Sequence, residues 1–122
     1  MISAMFRVSA LLGLVGMGLG IAMGIRQDFA LAPAHAHLNL IGGVLMAIFG
    51  GFYTLFPGAA QTMLAKIQVA ATHVAIWFMF PGIILAIQGK GEMLAKTGSI
   101  LAIIAIILFL VQVARAPSTR SA

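Results

Sequence analysis

The chain has 122 residues, of which 62% are hydrophobic and 7% charged, with a net charge of +5 and a mean hydropathy of +1.15. Water-soluble domains carry about a quarter charged residues, so lipid must be the solvent for much of this surface. The seven Lys and Arg are scattered singly near the ends of apolar segments, which argues against a nucleic-acid surface, and the lack of cysteine excludes disulfides, thiolate metal sites, iron–sulfur clusters and covalent haem attachment through C-x-x-C-H.

The length predicts a single transmembrane domain over residues 1–122. Four apolar segments appear, at residues 5–25, 33–56, 64–87 and 97–114. Each is near the ~20 residues that span a bilayer as helix. Only a helix satisfies every backbone group within one segment in lipid, so the expected fold class is an all-α membrane protein, a four-transmembrane-helix bundle. The connections are short, and neighbours are expected to be antiparallel.

The first segment starts near Arg7 and precedes small residues around Ala34, as a secretory signal does, but its apolar run is long for one and predicts a membrane helix. Gly16, Gly20 and Gly24 form a repeated G-x-x-x-G pattern, with Gly13 close to the same stripe. Small residues at that spacing let another helix approach closely, within one chain or between chains.

The second segment opens on His35-Ala36-His37, two imidazoles at the mouth of a run that otherwise has no charge. Ionisable groups in a bilayer are costly and usually functional. At three- and four-residue spacing, His35, Asn39, Gly43, Met46, Gly50 and Tyr53 make one polar or small stripe, expected to face protein or cofactor. His37 lies about 200° around the helix from His35. It falls on a separate face with Ile41, Val44 and Ile48, so the pair serves two flanks rather than one metal, or one is a ligand and the other a hydrogen-bonded neighbour.

The third segment carries His73, Trp77 and Pro81 on one face. Pro81 removes the hydrogen bond to the Trp77 carbonyl, so a kink or a free acceptor is expected. The fourth, over residues 100–113, is nearly all Ile, Leu, Ala and Val with Gln112 as its polar exception, and reads as a lipid-facing wall.

Arg7, Lys66, Arg115 and Arg120 fall on the side of the termini, and Arg26, Lys90 and Lys96 on the other, with Asp28 and Glu92. The positive-inside rule counts the basic residues and favours both termini in the cytoplasm, with the bacterial inner membrane as the expected location. His35 and His37 then lie near the outer face.

Imidazole is the commonest metal ligand. His35 reads either as an interfacial residue or as a ligand, His37 as a ligand, and His73 as a ligand, a neighbour of one, or a polar residue bonded to a carbonyl. Zinc wants more ligands at close range, and no Cys, Asp or Glu lies in the apolar segments. Haem needs only one or two axial ligands and an apolar pocket. The candidate metal ligands are thus His37, His73 and His35. Asn39, Met46, Trp77 and Arg26 are further cofactor-binding candidates, Arg26 as a partner for haem propionates, with Lys90 beside it in that role.

The run from His35 through Ala-His-Leu-Asn-Leu-Ile-Gly-Gly, continuing as Ala47-Ile-Phe-Gly-Gly-Phe-Tyr-Thr-Leu-Phe-Pro, resembles short membrane proteins related to subunit I of the haem–copper oxidases. It is also similar to the haem- and copper-containing membrane proteins linked to nitric oxide stress. The resemblance implies haem b, with copper as a second candidate metal. It implies His37 as a low-spin haem ligand, with His35 or His73 near a second ligand position. The oxidase subunit has three pseudo-equivalent groups of four helices, so a homotrimer of this chain would resemble its whole body.

The chain departs from that pattern. No second His neighbours His73, Tyr53 lies at the far end of its helix from His37, and no internal carboxylate is present. These absences weigh against oxygen reduction and proton pumping more than against haem binding. The leading expectation is a b-type haem protein for electron transfer or diatomic gas (O2 or NO) binding, with a homo-oligomer, the lipid bilayer and an electron donor as partners. The alternatives are an oxidase- or nitric oxide reductase-like enzyme with sites between subunits, and a structural or assembly protein without cofactor. A drug-exporter reading fails for want of an acidic residue in the first helix.

Overall fold

Four long helices form where apolar runs leave the backbone no partner but itself. The structure, a computed structural model, describes residues 1–117, so Arg120 lies outside the described residues. The helices are α1 (Ile2–Arg26), α2 (Ala32–Leu55), α3 (Met63–Ile87) and α4 (Met93–Arg115), with one extra turn, Pro57–Ala60, between α2 and α3. All four are long and apolar enough to cross a membrane, and the described residues contain no strand.

The ends have local causes. Gln27 closes α1 in the left-handed region at φ 52°, and the Asp28 carboxylate accepts the Ala30 N–H at 3.1 Å. Pro33 sits in the first turn of α2, where its missing N–H costs nothing. Thr62 caps α3 by accepting the Ala65 N–H at 3.2 Å. Gly89 and Gly91, at φ 71° and 112°, turn the chain from α3 into α4. Helix α4 starts at Met93 rather than near residue 97, because Lys96 donates its N–H to the Glu92 carbonyl at 3.0 Å and its ammonium pairs with the Glu92 carboxylate at 3.2 Å. Helix α3 runs through Pro81 as one element.

Helix α2 is not uniformly α-helical. Residues Leu38–Leu45 form a π-helix, a wider turn bonded i to i+5. Gly42 and Gly43 lie inside it, and the Ser9 hydroxyl of α1 donates to the Gly43 carbonyl at 2.7 Å.

That contact belongs to the seam between α1 and α2, and it answers the question the glycine stripe poses. A Cβ on Gly43 would stand 3.6 Å from the Gly13 Cα, one on Gly16 would strike the Asn39 amide, and one on Gly20 would meet the His35 ring at 2.7 Å. The stripe therefore packs within the chain. Gly24 has nothing within 4 Å and takes no part.

Helices α3 and α4 form a second tight pair. A Cβ on Gly82 would lie 2.5 Å from the Ala95 nitrogen, and one on Gly98 would lie 2.8 Å from the Met79 nitrogen. This corrects the reading of α4 as a lipid wall. Its Ile and Leu residues do face outward, but Gly98, Ala105 and Gln112 are buried along α3 and the neighbouring turn.

The core sits mainly towards the end that carries the termini, called the inner end below. Met5, Met46, Phe49, Tyr53, Ala65 and Val69 form the larger cluster, and Phe109 of α4 stacks on it 4.5 Å from Phe49. A smaller cluster of Leu12, Leu38 and Ile76 lies further out. Buried polar groups are paired, as hydrocarbon demands. Tyr53 donates to the Gln68 side chain at 3.0 Å, Gln68 donates to Thr72 at 3.3 Å, and Gln112 donates to Thr62 at 2.9 Å.

Backbone atoms of α3 cannot retreat from a new methyl group as a side chain can. Gly98→Ala is expected to destabilise the protein by about 1–3 kcal/mol. Gly18→Ala, in open space on α1, is expected to stabilise it by about 0.5–1 kcal/mol through helix propensity. Thermal unfolding in mild detergent, followed by circular dichroism, checks both signs.

Candidate functional site

The two histidines at the start of α2 face different surroundings. His35 is half-buried in the α1–α2 seam, where its Nδ1 lies 2.7 Å from the Gly16 carbonyl. A carbonyl can only accept, so Nδ1 carries the proton. Asn39, one turn on, sets its amide nitrogen 3.1 Å from Nδ1 and 3.4 Å from Nε2, and only Nε2 is left to accept from it. Both ring nitrogens of His35 therefore have protein partners. The ring rests on Gly20, which leaves it the room.

His37 is exposed, and its Nδ1 lies 2.7 Å from the Pro33 carbonyl one turn back. By the same argument Nδ1 donates, and the neutral ring carries a bare Nε2. A ring nitrogen fixed by a carbonyl, with the other left basic, is the arrangement found at metal-bound imidazoles.

His37 stands at the edge of an apolar groove of about 440 Å³. Helix α2 forms one wall with Leu40, Ile41, Leu45 and Phe49, and α4 forms the other between Ser99 and Ile107. Thr72, Ala75 and Met79 of α3 make the floor. The groove exists because α2 and α4 meet through Phe49, Phe52 and Phe109 and leave α3 uncovered beyond them.

The face below His37 differs from the expected one. Ile41 lines the groove, but Leu45 and Phe49 take the places expected for Val44 and Ile48, which point outward. The cause is the π-helical stretch, whose wider turns hold more than 3.6 residues and advance the register by about one residue. The Gly42-Gly43 pair was the available signal. Thr72 and Met79 on the floor carried none, because their place depends on how α3 meets α4.

The remaining candidates are dispersed. His73 is half-buried on α3, and no hydrogen bond joins its ring to another described residue. Val69 and Ile76, one turn to either side, pack in clusters with Met5 and Leu12 of α1. Trp77 shares the outward face of α3 with Pro81 and is exposed. Met46 is sealed in the core at 0% exposure and touches protein, not the groove. Arg26 is exposed in the last turn of α1, at the same end of the bundle as His35 and His37. No cluster of three or more His, Asp or Glu is brought together among the described residues, so the three histidines make no common centre within one chain.

No family model, no curated protein and no solved structure matches this chain.

The geometry assigns the two neighbouring histidines different consequences. His35→Ala removes a bond between helices and is expected to cost about 1 kcal/mol of stability. His37→Ala removes a bond within its own helix on an exposed side chain, and a change below about 0.5 kcal/mol is expected. Thermal unfolding of the cofactor-free variants in one detergent compares them directly.

Proposed function

We propose that this chain is a membrane b-type haem protein in which His37 supplies an axial nitrogen, serving electron transfer or the binding of O2 or NO. The observation that carries the reading is the His37 ring itself. Its Nδ1 is held by the Pro33 carbonyl, and its Nε2 is free beside an apolar groove. The resemblance of the His35–His37 run to haem–copper oxidase relatives points the same way.

The residues present fit such a group. The groove volume of about 440 Å³ lies within the range of small-molecule sites, and its lining of Leu40, Ile41, Leu45, Phe49 and Met79 suits a porphyrin face. Bound there, haem would supply a one-electron couple or a coordination position for a gas. The chain would hold it by His37, shield it from water with the groove walls, and offer Arg26 to its carboxylates. Copper would need ligands from more than one chain, because the described residues gather no three-ligand set. An enzyme of the oxidase or nitric oxide reductase type would likewise need its site completed between subunits.

The groove opens towards lipid, so one copy covers a planar macrocycle on one side only. A second copy would close it, and the four-helix count of the resemblance favours a homotrimer. The cation count supports cytoplasmic termini, and in this reading the chain sits in a bacterial inner membrane and receives electrons from a separate donor.

His37→Ala is expected to abolish haem retention, with His35→Ala and His73→Ala less affected. The haem-to-protein ratio and the Soret band of each purified variant give the answer. If His37→Ala keeps the wild-type spectrum, the axial assignment is wrong, and if all three do, the haem reading falls.

Mass measurement in mild detergent is expected to give three copies with haem bound. A monomer that keeps its haem would overturn the shared site.

A further inference from the structure

A cavity larger than the His37 groove lies elsewhere. It lies at the inner end, about 660 Å³ in volume, between the end of α2, the Pro57–Ala60 turn and the last turn of α4. Its lining mixes apolar Leu55, Phe56 and Pro57 with Thr62, Gln112 and Arg115. The helices on either side end here, so the cavity sits where the hydrocarbon gives way to lipid headgroups.

Most of its polar groups are already spent. Thr62 donates to the Ala59 carbonyl at 2.7 Å and accepts from Gln112 at 2.9 Å, and Thr54 donates to the Gly50 carbonyl at 2.8 Å. Those bonds fix the cavity wall. The Arg115 guanidinium is different: it is exposed and makes no ion pair among the described residues. It also cannot find a side-chain carboxylate nearby. The whole sequence holds two, Asp28 and Glu92, and both lie in the turns at the opposite end of the bundle. Lys66 and Arg7 share the inner end and add positive potential there.

Arginine matches phosphate oxygens with a planar fork of N–H donors. A cation at the end of α4 also faces the partial negative charge of the helix terminus, but that leaves most of its donors unused. We propose that this cavity binds a phosphate group, held by Arg115 and flanked by Leu55, Phe56 and Pro57, and that its source is an anionic phospholipid of the inner leaflet. Apolar walls below a guanidinium suit a headgroup with its acyl chains attached, whereas free phosphate would use the guanidinium alone. The site is independent of the haem reading.

Native mass spectrometry of the full chain in mild detergent, titrated with phosphatidylglycerol, phosphatidylcholine or inorganic phosphate, tests it. The expected result is tighter binding of phosphatidylglycerol than of phosphatidylcholine and no retained inorganic phosphate. Arg115→Gln is expected to weaken phosphatidylglycerol binding by about fivefold or more. Arg7→Gln removes the same charge from the inner end, outside the cavity, and is expected to change it less than Arg115→Gln does. Circular dichroism confirms that both variants are folded. Equal losses in the two variants, or no preference between the lipids, would overturn the site. Binding of inorganic phosphate as tight as that of the lipid would overturn the lipid source.

Discussion

The contact on which the rest of this bundle depends is the close seam between α1 and α2. Gly13 meets Gly43, Gly16 meets Asn39 and Gly20 meets His35, so two backbones come nearer than side chains would normally allow. In lipid no hydrophobic drive brings helices together, and van der Waals contact with a few hydrogen bonds must suffice. The bond from Ser9 to the Gly43 carbonyl sits in the widest part of α2, where a π-helical turn leaves the ordinary ladder altered. The seam and the wide turn belong together: two glycines let the turn open, and a helix one residue further out of phase sends Leu45 and Phe49 into the groove.

The same seam divides the histidines. His35 is drawn into it, and both of its nitrogens are occupied by Gly16 and Asn39. His37, two residues on, is turned away and keeps one nitrogen unengaged above an apolar trough. On the proposed haem reading, His35 would stiffen the backbone that presents His37, while the His37 Nε2 stays reachable. Glycine at position 20 makes this arrangement possible, since any side chain there would meet the His35 ring.

Polarity elsewhere follows a single rule, that no fully buried side-chain nitrogen or oxygen is left unpaired among the described residues. Tyr53, Gln68 and Thr72 form one chain of bonds, and Gln112 ties α4 to the turn before α3. Charge is confined to the ends, and the two ends differ. The outer turns hold both acidic residues beside their cations, while the described inner end holds cations alone. That asymmetry gives the described residues one end with charges of both signs and one with cations alone.

Several of these features are legible in the order of residues alone. Four apolar runs in so short a chain leave only a helical bundle in lipid, and the glycine spacing in α1 marks a helix contact. The three- and four-residue periodicity of α2 places Met46, Gly50 and Tyr53 inward and separates His35 from His37. These features are local, and each can be read within one helix. Other features depend on pairs of helices and emerge only when the helices pack. Whether Gly16 and Gly20 meet α2 or another copy could not be read from α1 alone. The burial of Gly98, Ala105 and Gln112 against α3 was invisible in a segment of nearly uniform hydropathy, because a lipid-facing and a helix-facing Ala or Gly look alike in sequence. The groove beside His37 arises from a gap between α2 and α4, and its lining depends on a π-helical turn. A periodicity of 3.6 cannot anticipate that turn, which brings Leu45 and Phe49 to the groove in place of Val44 and Ile48.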